Sequence, residues 1–178
     1  MRRRLIAPLL ALASGFIGAT SIRPVSIESM AARASLVVEG RAVSSWSQWN
    51  PQHTMIVTYT RFQVSRALKG AAGREVTIRQ PGGTVGVYRE IAHGVRYLHA
   101  GEEAALFLQD SSERDGTMVV VGLMQGMFRI ERKASGETYV SNGVSGVEVH
   151  DQSGSAQAPG GTHTRLSEFE ARVSKAAR

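Results

Sequence analysis

The sequence contains no cysteine, and aromatic residues make up only 6% of its 178 residues. Without cysteine the chain has no disulfide, no thiolate nucleophile and no cysteine-based zinc or iron–sulfur site. It also cannot carry the acyl anchor of a lipoprotein, because that anchor is attached to a cysteine. The length and the 42% share of hydrophobic residues fit one globular domain that buries a sizeable core.

The N-terminal segment has the three parts of a secretory signal peptide. Three arginines at 2–4 precede an apolar stretch at 5–13, and small residues follow up to Ala19. The apolar stretch is too short to span a bilayer comfortably. We therefore expect residues 1–19 to be removed by the general secretory route and the protein to be secreted or periplasmic. Ala13 and Thr20 are alternative cleavage points, and a buried N-terminal helix is the alternative to a signal.

Half of the positive charge belongs to this predicted signal. The whole sequence has 21 Lys and Arg against 15 Asp and Glu, a net charge of +6. Removing residues 1–19 leaves 18 basic against 15 acidic residues, a net charge of +3. We therefore expect no nucleic-acid partner, because nucleic-acid binding needs a basic surface. No later segment is apolar enough to form an integral membrane segment after signal cleavage.

Signals for β-strands dominate residues 20–150, which we interpret as one domain. A short helix at 26–34, capped by Ser26, precedes them. Residues 44–53 are predicted as a loop or hairpin tip, and 85–91 as a strand or an extended loop. Strands are predicted at 36–43, 54–68, 75–79, 104–108, 118–123, 127–132, 138–141 and 147–149.

The C-terminal part has a different composition. Residues 151–163 are dominated by Gly, Ser, Ala, Pro and polar residues without periodicity, which predicts a flexible linker. Residues 164–178 are predicted as a short amphipathic helix, with Ser167 and Glu170 forming a capping box. Docking of this helix on the domain and mobility of the helix are both left open.

Short strands separated by turn signals predict an antiparallel barrel or sandwich. Gly40 interrupts the valine-rich first strand and predicts a bulge or bend there. The second strand is long enough to coil round a corner, which favours the barrel. The predicted fold is mainly β, a small antiparallel OB-like β-barrel with a short N-terminal helix and a C-terminal amphipathic helix.

Several short motifs occur in a familiar order. They are a valine-rich strand at 34–43, a long strand ending in Leu68-Lys69-Gly70, a strand at 76–79 and a Gly-Glu-containing strand at 98–108. In this order they resemble the netrin-like modules shared with tissue inhibitors of metalloproteinases, which are OB-type barrels. The chain also resembles small exported bacterial proteins of unknown function, through the same Leu-Lys-Gly turn and the stretches at 79–83 and 121–128.

The resemblance covers residues 30–132 and implies an OB-type barrel. In the metalloproteinase inhibitors, the amine and carbonyl of an N-terminal cysteine chelate the catalytic zinc. This chain has no cysteine, so the resemblance does not imply that inhibitory mechanism.

No group of residues has the spacing of a familiar catalytic or metal site. The pair His93 and His99 lies in an irregular stretch, and exposed loop histidines are preferred over a metal site. Glu102 and Glu103 are interpreted as a solvated turn, because a catalytic carboxyl pair needs two different environments. The glycine-rich stretch at 82–86 lacks the lysine of a phosphate-binding loop. We predict no catalytic residue, no metal and no cofactor.

Aromatic residues flank the predicted hairpin tip. In OB-type barrels the loop between the first two strands and the neighbouring sheet face often bind ligands. Exposed aromatic side chains there would suit a protein, peptide or glycan partner. The alternative is that one or both tryptophans cap the end of the core. The predicted partner-binding residues are Trp46, Trp49, Tyr59, Arg61 and Arg79.

These observations favour an exported, non-catalytic binding module that recognises another extracytoplasmic protein or peptide, with proteases among the candidates. The first alternative is an exported hydrolase in which His93, His99 and Glu102 converge from separate loops. The second is nucleic-acid binding by the barrel, which the export signal and the small net charge oppose.

Overall fold

A computed structural model of the chain describes residues 25–142, 149–150, 156–157 and 161–177. The predicted signal at 1–19 and most of the predicted linker at 151–163 lie outside the described residues. The described part is mainly β with two helices, as predicted from the sequence. Neither of these two helices has the length and apolar character needed to cross a membrane.

Helix α1 (Ile27–Arg33) leads into the sheet, and Ser26 caps it as predicted by accepting the Ser29 N–H at 3.1 Å. Strand β1 (Leu36–Trp49) then pairs with the equally long β2 (Ile56–Lys69) in an antiparallel hairpin.

The loop or hairpin tip predicted at 44–53 begins six residues too early, because residues 44–49 continue β1. Residue-for-residue pairing with β2 holds them in the sheet, and Trp46 lies opposite Tyr59. The turn itself is confined to 50–55. Asn50 organises it, because its side-chain oxygen accepts the backbone N–H groups of Thr54 and Met55 at 2.8 and 3.1 Å.

Most of the predicted strands are present, with shifted ends. The region at 85–91 forms part of a small separate hairpin rather than a single strand, and Leu123–Gly126 is a 3₁₀ turn. The remaining strands are β3 (Glu75–Pro81), β4 (Gly83–Val85), β5 (Tyr88–Glu90), β6 (Glu103–Asp110), β7 (Met118–Val120), β8 (Met127–Arg132), β9 (Thr138–Ser141), β10 (Val149–His150), β11 (Ala156–Gln157) and β12 (His163–Arg165).

The main sheet is curled. Its strand order is β1-β2-β3-β7-β6-β8-β9-β12, and β1 also pairs with β6. The pairing between β3 and β7 is parallel and consists of the single register pair Ile78 and Met118. The β4–β5 and β10–β11 hairpins are separate two-stranded sheets.

The expected irregularity at Gly40 is present. The β1–β2 register shifts between Glu39 and Gly40, and a second shift lies between Ala42 and Ser44. The two strands approach closely at Gly40, where a Cβ atom would collide with the carbonyl oxygen of Gln63. Glycine therefore permits the close approach of the two strands.

Buried side chains form two clusters on the two faces of β6. One cluster fills the curl of the sheet and includes Phe62, Ile78 and Leu106. The other lies between the sheet and the two helices and includes Phe107 and Phe128. The near-continuous apolar run of β6 is explained by this burial on both faces.

Helix α2 (Leu166–Ala176) docks on the second cluster through the fully buried side chains of Phe169 and Val173. The predicted capping box is not formed. The helix begins after Arg165, which makes no side-chain cap, and the Thr164 hydroxyl donates to the Glu168 carboxylate at 2.7 Å instead.

Candidate functional site

Three strands present an aromatic and basic surface on one face. In the register of β1, β2 and β3, Trp46 lies opposite Tyr59, and Tyr59 lies opposite Arg79. Side chains alternate along a strand, so these residues face away from Phe62 and Ile78 in the core. Arg61, two residues along β2 from Tyr59, shares their face. We call these four residues, Trp46, Tyr59, Arg61 and Arg79, the outer face.

The aromatic pair on the outer face is ordered and accessible. The rings of Trp46 and Tyr59 stack with centroids 5.6 Å apart and planes 20° apart. Trp46 is 41% exposed, whereas Tyr59 is half-buried beneath it. Exposed stacked aromatics of this kind offer a large contact area that is already fixed in position.

Each arginine of the outer face lies near a carboxylate. Arg61 Nε is 3.5 Å from Glu75, and Arg79 Nη2 is 3.6 Å from Glu113 in the loop between β6 and β7. The Arg79 side chain is only 15% exposed, and its Nε has no hydrogen-bond partner within the described part of the chain. The outer face therefore carries fixed guanidinium groups but little surplus charge.

Trp49, the fifth residue of the predicted site, lies on the opposite side of the sheet. It is paired with Ile56 and lies three positions after Trp46 along β1, so alternation directs the two tryptophans to different faces. Its ring stacks on His53 at 6.1 Å and meets Tyr88 edge-on at 5.7 Å. The structure thus brings together four of the five predicted residues.

The β4–β5 hairpin has an apolar tip that sequence reasoning did not select. Val87 is 93% exposed, and Tyr88 and Ile91 are also exposed. The available signal was the repeated valine and glycine pattern at 83–87, but 85–91 is interpreted from the sequence only as a strand or an extended loop. Between this hairpin, β1 and the segment 91–100 lies an open groove of about 840 Å³.

The acidic pair Glu102 and Glu103 at the start of β6 was predicted to be a solvated turn. That prediction is wrong, because the pair is the centre of an ion-pair cluster. Glu102 contacts Arg96 and lies 3.1 Å from Arg129 Nε, and its side chain is only 13% exposed. Burial and the neighbouring Arg129 lower the pKa of Arg96. His99 Nδ1 lies 3.7 Å from the Glu102 carboxylate.

Glu103 in the same cluster is held by two further arginines. Its carboxylate lies 2.6 Å from Arg41 and also contacts Arg132. Hydrogen bonds from Arg132 and Arg41 lower the pKa of Glu103. Both carboxylates of the pair are therefore tied to arginines. Sequence reasoning missed this because the arginines come from three separate regions of the chain.

Glu39 is a buried carboxyl group that the sequence did not single out. Its side chain lines a cleft of about 380 Å³ between the sheet and α2. Burial, followed by the charge of Glu170 on α2, raises the pKa of Glu39 to about 7. Glu170 is itself 2.6 Å from Arg66. At neutral pH Glu39 is therefore partly protonated.

Within the described ranges, no three His, Asp or Glu side chains are grouped so that they could hold a metal ion. His93 is exposed, and no hydrogen bond or ion pair joins it to His99 or Glu102 in the part of the chain that the structure describes. The three residues of the predicted hydrolase site are therefore not brought together as a set.

No protein-family model matches the sequence, and no curated protein shows significant similarity to it. The netrin-like resemblance therefore continues to depend on the short motifs in the sequence.

Proposed function

We propose that the protein is an exported, non-catalytic binding module on an OB-like barrel. In this proposal the outer face binds another extracytoplasmic protein or peptide, and proteases are among the candidate partners. The single observation that carries the proposal is the exposed Trp46–Tyr59 stack beside two arginines on one sheet face.

The strand pairings support the barrel. The order β1-β2-β3-β7-β6 returns to β1, because β1 pairs with both β2 and β6. The OB-fold is a five-stranded, partly open Greek-key barrel. The parallel contact of β3 with β7 through Ile78 and Met118 fits this arrangement. The additional strands β8, β9 and β12 extend the sheet beyond those five.

The position of the outer face supports its role in binding. OB-type barrels bind ligands on the face of the second and third strands and through the adjoining loops. Tyr59, Arg61 and Arg79 lie on those strands, and Glu113 belongs to the loop that borders them. Tryptophan, tyrosine and arginine are also the residues that contribute most often to the energy of protein interfaces.

The netrin-like motifs agree with this proposal at the level of a binding module. The strand at 34–43 is β1 with its bend, and Leu68-Lys69-Gly70 is the end of β2 and its turn.

The predicted N-terminal signal supports an extracytoplasmic location. Expression in an exporting bacterium should yield a secreted or periplasmic chain that begins at Thr20, as read by N-terminal sequencing.

The test compares two exposed residues of β1. Extracytoplasmic proteins retained by the exported chain are identified, and their affinities are measured for Trp46→Ala and for Val43→Ala. Both side chains are 41% exposed, so neither change should unfold the protein. We expect Trp46→Ala to weaken binding by about 2 kcal/mol, roughly thirtyfold, and Val43→Ala to have little effect. Equal affinities in the two variants would refute the role of the outer face.

The exported hydrolase remains the second candidate, and Glu39 is the observation that favours it. A carboxyl group with a raised pKa in a cleft, beside a second carboxyl group, is a common arrangement for general acid catalysis. A panel of chromogenic esters, glycosides and peptides offered to the exported chain tests this. Turnover that disappears in Glu39→Gln would favour the hydrolase over the binding module.

A further inference from the structure

One edge of β1 changes partner halfway along the strand. From Leu36 to Arg41 it pairs with β6, and the last backbone hydrogen bonds of this ladder join Ala42 to Gly101 and Glu102 at 2.8 and 2.9 Å. The chain then turns away at 99–101. From residue 44 to residue 49, no strand in the described part of the chain pairs with this edge.

The backbone groups that point out of this edge can be identified. The Asn50 N–H donates to the Met55 carbonyl at 2.9 Å. Because hydrogen-bonded pairs alternate along an antiparallel ladder, residues 44, 46 and 48 bond to β2. The N–H and C=O groups of the intervening residues therefore point away from β2 toward the open edge. These residues are Ser45, Ser47 and Trp49.

The same edge borders the groove of about 840 Å³, which is lined by Ser45 and Ser47. The floor of the groove is fixed by hydrogen bonds. The Ser47 and Thr58 hydroxyls lie 2.8 Å apart, and the Thr58 hydroxyl donates to the Gly82 carbonyl at 2.7 Å. Gly83 has φ of 138° and packs so closely on this floor that a Cβ atom would collide with both hydroxyls.

We propose that the edge of β1 at Ser45, Ser47 and Trp49 binds an extended peptide segment of a partner protein as an added β-strand within this groove. A row of unpaired N–H and C=O groups at strand spacing is matched by the backbone of an extended polypeptide. The added strand would lie beside the second half of β1, in the position that β6 occupies beside the first half. The walls formed by the β4–β5 hairpin and residues 91–100 favour a single free segment over the edge of a folded second copy.

The two proposals use different groups of β1. The edge binds through the backbone N–H and C=O groups of Ser45, Ser47 and Trp49, whereas the outer face presents the side chain of Trp46. The two proposals can therefore fail independently, because Trp46→Ala leaves every backbone group of the edge in place and should leave the alternation along the N-methylated peptide unchanged.

The first experiment uses a displayed library of random linear nonapeptides selected on the full chain. Selected peptides are resynthesised with a single N-methyl group at each position in turn. N-methylation at alternate positions should weaken binding about tenfold, because those N–H groups donate to β1. Recovery of no binding peptide, or a loss without alternation along the peptide, would overturn the proposal.

Amide hydrogen exchange locates the bound peptide on the protein. We expect the amides of Ser45 and Ser47 to exchange fast in the free chain and to become protected when a selected peptide is added. Slow exchange of these amides in the free chain would mean that another segment of the chain already covers the edge, which would contradict the proposal.

Substitution of Ser47 tests whether the Ser47 N–H donates a hydrogen bond to the bound peptide. Ser47→Pro removes an N–H that the β1–β2 ladder does not use, whereas Ser47→Ala keeps that N–H and removes only the hydroxyl. Peptide binding should be lost in Ser47→Pro and retained in Ser47→Ala, and equal affinities would overturn the proposal. Circular dichroism checks the fold, and if Ser47→Pro unfolds, the N-methyl scan still decides the matter.

Discussion

The environment of Glu39 combines burial with charges of both signs. The residue is 7% exposed, and Oε1 has no hydrogen-bond partner among the residues that the structure describes. Arg66 lowers its pKa, but burial and the proximity of Glu170 outweigh that effect. The same cleft also contains Arg41, Glu103 and Arg132, which are paired with one another. The proton on Glu39 is therefore bound more tightly in the folded than in the unfolded state.

This predicts that the protein becomes less stable as the pH rises from about 4.5 to about 7. The pKa of Glu39 rises from 4.5 to about 7 on folding, so in this window the folded state binds more protons than the unfolded state. Linkage then lowers the free energy of unfolding by up to about 3 kcal/mol across the window, with no further loss above it. Guanidinium unfolding at pH 5 and pH 8 measures the difference.

Glu39→Gln should remove most of this pH dependence and stabilise the protein at pH 8, because glutamine carries no charge to bury. The exposed Glu131→Gln on β8 is the matched control and should leave the slope unchanged. An equal slope in the original protein and in Glu39→Gln would show that Glu39 is not the titrating group.

The candidate site was only partly predictable at the level of single residues. The residue types were informative, and Trp46, Tyr59, Arg61 and Arg79 do share a face. Trp49 was grouped with them because 44–53 was interpreted as a loop, where alternation does not apply. Once these residues are known to continue β1, the spacing of three positions from Trp46 assigns Trp49 to the other face.

At the scale of elements, α2 is a part of the folded core. Its Phe169 ring lies 4.9 Å from Phe128 and 5.6 Å from Phe107, measured between centroids. Arg172 on α2 also donates two hydrogen bonds to Glu28 on α1, at 2.7 and 3.0 Å. These hydrogen bonds are the largest cause of the low pKa of Glu28, about 2. The two helices are thus joined by both packing and charge.

Phe169→Ala should therefore destabilise the whole domain and not only the C-terminal segment. Removing a fully buried aromatic ring leaves a cavity among Phe107 and Phe128 and costs about 3–5 kcal/mol. Ser174→Ala, an exposed change on the same helix, should stay within about 0.5 kcal/mol of the original protein. Denaturant unfolding followed by tryptophan fluorescence measures both, and a cost below about 1 kcal/mol for Phe169→Ala would show that α2 is not required.

The elements found from sequence are those with strong local signals. The alternating strand at 75–79 and the continuous apolar strand at 104–108 were predicted at nearly their correct positions, as β3 and β6. Strand β12 was missed because His163–Arg165 has no local pattern and is held by pairing with β9. The second half of β1 was missed for the same reason, since β2 supplies its partners. Long-range pairing overrode weak local preference in both cases.

The net charge of the molecule decides whether the outer face suits a protein partner or a single-stranded nucleic acid. Stacked aromatics beside arginines on one sheet face also suit single-stranded nucleic acid. However, three of the six surplus positive charges lie in residues 1–19. The two arginines of the outer face lie within 3.6 Å of Glu75 and Glu113. Little free positive charge remains to replace the counterions of a phosphate backbone.

We therefore predict that the chain does not bind a fluorescently labelled oligothymidine at physiological salt, as measured by anisotropy. Glu113→Gln, which frees Arg79 from its carboxylate, should be the variant in which weak, salt-sensitive binding first appears, and Glu131→Gln serves as its control. If the original protein instead bound oligothymidine with a log–log salt slope steeper than about −1.4, two or more phosphates would be neutralised. In that case the outer face would be a nucleic-acid surface and the protein partner would have to be sought elsewhere on the molecule.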